Sequence, residues 1–311
     1  MKRIGVTSEI EISQVVLGGD FGERPDQESF ATLDLFFSCD GRAIETAHVY
    51  VEGEAERQIG RWLSTRRCRN EVVLIGKCCH PAPNGEPRLS PEILEYELET
   101  SLQRLRVDWI DVMLLHRDSP ATPIETIVPA LHNAVEKGKI GAYGMSNWTL
   151  DRFNQAYAFA LRNGITPPNL ASLNYCLAVQ SRPMWPGCRQ AEQEDLQWLR
   201  SHNIPLLAWS SQARGWFAEQ SVFPESTGVS EVYDTVTNRE RRERAREVAH
   251  QKKATTLQVA LAFVLANKLT AATIGPATPR ELSESLGALT LTLSAAERAY
   301  LLGQPNHEKG E

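Results

Sequence analysis

Eight short runs of β-forming residues recur along the 311-residue chain, each followed by a stretch in which apolar side chains return at helical spacing. The runs are Gln14–Gly18, Ala43–Thr46, Val72–Gly76, Ile110–Leu115, Ala142–Met145, Leu170–Leu173, Pro205–Ala208 and Ala272–Ile274. Such alternation predicts parallel strands, because a chain regains its starting direction only through a crossover, here helical. Eight βα units fit either an open doubly wound sheet or a closed barrel. The open dinucleotide-binding sheet carries Gly-x-Gly-x-x-Gly after its first strand. Gly18-Gly19-Asp20-Phe21-Gly22 lacks that spacing. The expected fold class is therefore α/β, a (β/α)8 TIM barrel formed as one domain over residues 1–311. A short β-hairpin in Lys2–Ile12 should plug its floor, and a C-terminal helix should follow Ser294.

Local signals mark several helix starts. Thr122-Pro123-Ile124-Glu125 and Thr278-Pro279-Arg280-Glu281 each offer Thr as N-cap, Pro as first helical residue and Glu after it. Ser90-Pro91 opens a helix to about Leu105 with Ile93, Leu94, Leu98 and Leu102 on one face. The stretch from Ser210 to about Asn238 is too long for a plain βα connection and reads as a lid. Arg239–Arg246, interleaved with glutamates, reads as a solvated helix face.

Composition narrows the partners. With 33 basic against 39 acidic residues the formal charge is −6, the wrong sign for a dedicated nucleic-acid binder. No run of 18 apolar residues exists, and Met1-Lys2-Arg3-Ile4-Gly5 does not open a secretory signal, so neither membrane insertion nor export is expected. Cys39, Cys68, Cys78, Cys79, Cys176 and Cys188 lack framework spacing and read as thiols of a reducing compartment, the cytoplasm. Cys78-Cys79-His80 lacks the gap of a structural zinc site, so no metal is expected.

In a barrel, chemistry gathers at the C-terminal ends of the strands. Reading those ends in order gives Glu45, then Tyr50 just beyond it, then Lys77 and His116. These side chains suit carbonyl reduction. Hydride arriving at carbon leaves negative charge on oxygen, and a proton must follow. A phenol near pKa 10 donates poorly unless an ammonium beside it favours phenolate; a carboxylate behind the lysine keeps that ammonium charged, and a histidine can hydrogen-bond the substrate oxygen. Asp20, His48, His80 and Trp148 flank the same mouth and are candidate substrate contacts, with Trp185 and Trp216 as further cavity-lining or packing residues.

The segments Glu45-Thr-Ala-His-Val-Tyr50, Ile75-Gly-Lys77, Leu114-Leu-His116 and Gly144-Met-Ser-Asn147 resemble, in order, the motifs of the aldo-keto reductase superfamily. Glu56-Arg-Gln-Ile-Gly60 and Leu102 to Asp111 add supporting fragments. Gly144-Met-Ser-Asn-Trp148, Trp185-Pro-Gly-Cys188 and the run from Ala208 to Phe217 are similar to a bacterial subgroup of that family. The resemblance implies an NAD(P)-dependent oxidoreductase with Tyr50 as proton donor, Lys77 as its pKa modifier and His116 orienting the substrate. The family's aspartate is Glu45 here, one methylene longer, which moves the carboxylate by about 1.5 Å. The resemblance further assigns Ser146 and Asn147 to the nicotinamide carboxamide, Trp209 to its ring face and Ser210 to the pyrophosphate loop. Gly275, Thr278, Arg280, Glu284 and Ser285 would form the adenosine-phosphate site. The strand-6 glutamine of the family has no counterpart, Ser172 or Asn174 occupying its neighbourhood. Arg280 favours NADP(H), with NAD(H) as the alternative. The substrate would be a small carbonyl or alcohol compound, an aldehyde, ketone or sugar-like molecule.

Two other classes stay open on the residues. Glu45 in place of aspartate suits a non-catalytic NADP(H)-sensing protein. Lys77, or Glu45 paired with Asp20, suits a barrel lyase or glycosidase.

Overall fold

The computed structural model describes residues 1–22, 24–219 and 227–304. The elements in chain order are β1 (Arg3–Gly5), β2 (Glu11–Ser13), β3 (Val15–Gly18), α1 (Asp26–Ser38), β4 (Ala43–Glu45), α2 (Glu54–Arg66), β5 (Val73–Cys78) and α3 (Pro91–Leu105). They continue with β6 (Ile110–Leu115), α4 (Ile124–Glu136), β7 (Ile140–Ser146), α5 (Leu150–Arg162), β8 (Leu170–Asn174), α6 (Gln193–Ser201) and β9 (Leu206–Trp209). The last are α7 (Val229–Tyr233), α8 (Val236–Lys252), α9 (Thr256–Leu265), β10 (Thr270–Ile274), α10 (Pro279–Leu286) and α11 (Ala295–Leu302). Strands β3 to β10 close in sequence order into a parallel barrel, β10 pairing back onto β3, while β1 and β2 form a separate antiparallel hairpin.

Alternation along each strand decides what lies inside. Val16, Ala43, Ile75, Val112, Leu114, Ala142, Leu170, Leu207 and Ala271 form an inner cluster with Ile4, Val6 and Ile12 of the hairpin, which thereby fills the barrel floor. Their strand neighbours Val15, Leu17, Ile44, Leu74, Met113, Leu115, Tyr143 and Leu173 belong to the second cluster, between strands and helices. Two residues on from an inward side chain, the chain points inward again. Ala43 thus predicts Glu45 inside, Ile75 predicts Lys77, Leu114 predicts His116, Leu170 predicts Ser172 and then Asn174, and Leu207 predicts Trp209. The period-2 rule delivers a ring of polar side chains to the C-terminal mouth.

Two local expectations are corrected. Thr122 does not cap α4, because its hydroxyl donates to Leu89 O at 2.8 Å and Pro123 takes the cap position in extended backbone. Ser90 and Thr278 do cap, accepting from Ile93 N and Glu281 N. The Arg239–Arg246 face of α8 is only partly solvated: Arg241 donates to Leu177 O at 2.7 Å, Arg242 to Ala218 O and Arg244 to Leu301 O. Of the expected lid, residues 220–226 lie outside the described residues. The rest holds a 3-10 turn at Ala213–Gly215 and the short α7, and ends where α8 begins.

Candidate active site

Lys77 enters the mouth from β5, opposite Leu114 in the register with β6. Pairing with β5 outlasts β4 itself: Thr46 N donates to Ile75 O at 2.8 Å and His48 N to Lys77 O at 2.9 Å. The loop after Glu45 is thereby held alongside Lys77 and sets Tyr50 above it. The turn then reverses through Val51, Glu52 and Gly53, all left-handed, before α2 starts. Gly53 is required there, since a Cβ would collide with the Arg104 guanidinium. Arg104 donates to His48 O at 2.9 Å and to Glu56 Oε2 at 3.1 Å, so α3 clamps the loop that carries Tyr50.

The four expected residues come together. Lys77 Nζ donates to the Tyr50 hydroxyl at 3.0 Å and to Thr46 O at 3.3 Å, and it forms an ion pair with Glu45. The Tyr50 hydroxyl in turn donates to Glu45 Oε1 at 3.4 Å, a contact made by the longer acid. His116 stands edge-on to the Tyr50 ring, centroids 5.8 Å apart. Glu45, Lys77 and His116 are all buried. Burial, and then the charge of Asp20, push the Tyr50 phenol above its ordinary range; Arg117 opposes them. Burial, helped by Arg117, pulls the Lys77 ammonium well below its usual value, and Asp20 opposes this. Desolvation is the leading influence on the phenol, so its direction is opposite to the acidification expected from a neighbouring ammonium. Burial, with Lys77 and Arg117 nearby, also keeps His116 neutral well below its usual range.

Of the candidate substrate contacts, His80 packs edge-on to His116 at 4.6 Å, and exposed Asp20 follows β3 on the same rim. His48 turns the other way, toward α3, with Ser101 Oγ at 3.5 Å and Arg104 Nη1 at 3.3 Å. Trp148 is fully buried behind the mouth under Arg152. Trp216 is buried, whereas Trp185 is 42 % exposed and leans on Trp209 at 5.9 Å.

The dinucleotide expectation is tested by what the mouth leaves unsatisfied. Buried Ser172 Oγ, His116 Nδ1 and Trp209 Nε1 have no hydrogen-bond partner among the described residues. Asn147 and Ser210 adopt left-handed backbone, uncommon for non-glycine residues, at the ends of β7 and β9. Asn147 Nδ2 donates to Ser146 Oγ at 2.9 Å. Gln212 Nε2 donates to Ser285 Oγ at 3.1 Å, joining the loop after β9 to α10. A Cβ built on Gly275 would meet nothing, so open space adjoins the N-terminus of α10. Arg280 is exposed there without a protein partner among the described residues. Glu281 Oε2 accepts from Ala277 N at 2.6 Å, and Glu284 is only part-buried along α10. These groups fit a phosphate-bearing dinucleotide mainly through the cation of Arg280 and the positive end of the α10 dipole, since Pro279 has no N–H and the amides of Ala277 and Glu281 are already engaged. Sequence reading missed Arg24, Arg104, Arg117 and Gln212. Arg24 donates to Ala277 O at 2.8 Å and ties the β3 loop to this groove. The arrangement can bind an elongated anionic ligand and move one proton beside a neutral imidazole.

Among the described residues, no helix is long and apolar enough to cross a membrane and no group of three or more His, Cys, Asp or Glu is arranged for a metal ion.

Known proteins give the arrangement its context. The family model "Aldo/keto reductase family" matches residues 15–302. Aldo-keto reductase AFTS1 of Alternaria alternata is 27 % identical over 96 % of this chain and 90 % of its own length. Norsolorinic acid reductase of Aspergillus flavus is 28 % identical over 90 % of this chain and 72 % of its own. Aryl-alcohol dehydrogenase GME11368 of Pestalotiopsis microspora is 25 % identical over 94 % and 78 %. A crystal structure of the thermostable aldo-keto reductase Tm1743 superposes with a TM-score of 0.76 at 23 % identity, covering 97 % of this chain and 99 % of that one, a likeness of fold. With its barrel closed and the family's match spanning nearly its whole length, the chain belongs to the aldo/keto reductase family of oxidoreductases.

Proposed function

We propose that the protein moves hydride reversibly between NADP(H), in preference to NAD(H), and the carbonyl or alcohol carbon of a small molecule, with Tyr50 as general acid and base. The observation that carries this reading is the contact of Lys77 Nζ with the Tyr50 hydroxyl at 3.0 Å, backed by Glu45 and flanked by His116. Bound NADPH supplies the hydride. Tyr50, kept protonated by burial, holds the proton that the developing alkoxide takes; neutral His116 donates a hydrogen bond to the same oxygen. Within its ion pair with Glu45, the Lys77 ammonium stands beside the phenol as that proton leaves.

Ser146, Asn147 and Ser172 are the groups to hold the carboxamide, Trp209 the ring, and Ser210 the pyrophosphate. Gly275, Thr278, Arg280, Glu284 and Ser285 surround the adenosine end. The unpartnered Arg280 supports NADP(H), its charge suiting a 2′-phosphate. The name of one relative, an aryl-alcohol dehydrogenase, supports aryl alcohols and the benzaldehydes they oxidise to as first substrates. The unpaired thiols support a reducing, cytoplasmic setting.

Titration of tryptophan emission with NADPH and NADH, followed by turnover of benzaldehydes on the saturated enzyme, tests this. NADPH should bind more tightly, and Arg280→Met should weaken NADPH alone. Equal or absent binding of both nucleotides overturns the cofactor assignment.

The contact between Glu45 and the Tyr50 hydroxyl favours a second reading, since it draws the phenol proton toward the acid. In a sensing protein, nucleotide binds without turnover, and Glu45→Asp raises activity from near zero. Robust turnover by the natural chain ends that reading.

A further inference from the structure

Arg117 follows His116 at the end of β6 and is 7 % exposed, yet among the described residues no carboxylate pairs with it. Its sequence neighbour Asp118 is taken by Arg152 at 3.3 Å. Arg117 Nη1 donates to His116 O at 2.8 Å and Nε to Pro186 O at 3.3 Å, while Nη2 donates to no protein atom among the described residues. A buried guanidinium without a counter-charge is costly, and two backbone carbonyls leave its charge uncompensated. Stability alone gives no reason to place it there.

Its surroundings say what it faces. The side chain crosses from β6 to the turn Trp185–Cys188, where Cys188 N donates to Trp185 O at 3.1 Å. Gly187, left-handed at φ +70, lets that turn close down, a Cβ there falling 3.3 Å from Arg117 Cδ. The same turn presents Trp185 on the rim against Trp209. After burial, Arg117 is among the charges that keep His116 and His80 neutral, and it counters the rise of the Tyr50 phenol. The cation thus acts electrostatically on Tyr50, Lys77, His80 and His116, the titratable groups at the reacting end of the mouth.

We infer that Arg117 is an anion subsite, and that the carbonyl compounds this protein takes carry a carboxylate, its charge on Nη2 and its apolar body against Trp185. A planar guanidinium whose Nη2 is unengaged offers a carboxylate a charge-assisted hydrogen bond in a place shielded from water. The inference deepens the reductase reading and rests on it for the word substrate; the anion subsite itself does not depend on turnover.

The test has two arms. Tryptophan emission is titrated with benzoate and with benzamide, its neutral near-isostere, with and without NADP+, in the natural chain and in Arg117→Met and Arg117→Lys. Benzoate should bind at least tenfold more tightly than benzamide; Arg117→Met should abolish the difference and Arg117→Lys retain part of it. Equal binding of the two ligands by the natural chain, or an undiminished preference in Arg117→Met, overturns the subsite. In the second arm, kcat/KM is measured for 2-, 3- and 4-carboxybenzaldehyde against the matching carbamoylbenzaldehydes. At least one acid should exceed its amide tenfold, and the ratio should fall toward one in Arg117→Met. A guanidinium that only pins the Trp185–Cys188 turn would lower both members of each pair and leave the ratio standing, which also overturns the inference. Absence of turnover with every aldehyde removes the reductase reading, while the benzoate titration still decides Arg117.

Discussion

Replacing Lys77 by Met isolates the charge pair at the centre of the site. The side chains of Lys77 and Glu45 are 4 % and 6 % exposed, so removal of the ammonium strands a carboxylate inside the barrel mouth. Breaking a buried pair by deleting one partner costs about 3–5 kcal/mol. At about 2 °C per kcal/mol for a chain of this length, the thermal midpoint at pH 8 should drop by roughly 6–10 °C. The sign of the pH dependence follows from the stranded acid. Without a partner in a desolvated place, Glu45 in the variant has a pKa above that of the unfolded chain. The folded variant then binds a proton more tightly than the unfolded one, so its stability recovers as pH falls, by at most about 1.4 kcal/mol per pH unit. Adding Glu45→Gln to Lys77→Met should restore most of the midpoint at pH 8 and flatten its pH dependence, yet leave carbonyl reduction crippled, because Tyr50 still lacks its cation. Midpoints by circular dichroism from pH 5 to pH 8 on the three chains decide the matter. A deficit that neither varies with pH nor responds to Gln would refute the reasoning: Lys77 would then stabilise through Thr46 O and packing alone.

Tyr50→Phe should lower kcat for carbonyl reduction by roughly 10²–10⁴-fold with little change in nucleotide affinity, measured by fluorescence titration. Since burial raises the Tyr50 pKa, reduction should stay level from pH 6 to pH 8 while alcohol oxidation, which needs the phenolate, climbs with pH; a reduction rate that halves below pH 8 contradicts this. His116, held neutral by burial and by Lys77 and Arg117, should show no imidazole titration by NMR between pH 6 and pH 8. Gly60→Ala places a methyl 2.5 Å from Arg104 O at the crossing of α2 and α3, and should cost about 1–3 kcal/mol in urea denaturation while loosening the Tyr50 loop.

Strand existence was legible because parallel barrel strands are short apolar runs between helical patterns, and Ile110–Leu115 is found at its observed ends. Where a strand stops was less legible, since pairing rather than propensity decides it. β5 runs on to Cys78 because Lys77 and Cys78 pair with Leu114 and Leu115 of β6, a register no local pattern contains. Thr122 looked like a cap and became a tertiary donor to Leu89, because a hydroxyl takes whichever partner the packed chain supplies. Likewise the arginines of α8 looked solvated until the carbonyls of Leu177, Ala218 and Leu301 were brought against them.

Glu45, Lys77 and His116 could be read because their type, their order and their place at strand ends agree. Tyr50 needed more, since it lies beyond its strand and reaches Lys77 only through loop pairing that α3 clamps. Arg117 escaped notice for the opposite reason. Between His116 and Asp118 an arginine reads as half of an ordinary ion pair, and only the packed structure assigns that acid to Arg152 instead. What a cation does depends on the partner it lacks, and a missing partner has no signature in a string of letters. On the proposed function, oxidoreductase chemistry at this mouth rests on side chains that point inward by strand parity, joined by Tyr50 from the loop. On the subsite inferred for Arg117, choice of substrate rests on a charge left over once the other pairs have formed, which is why its replacement should change selectivity rather than rate alone.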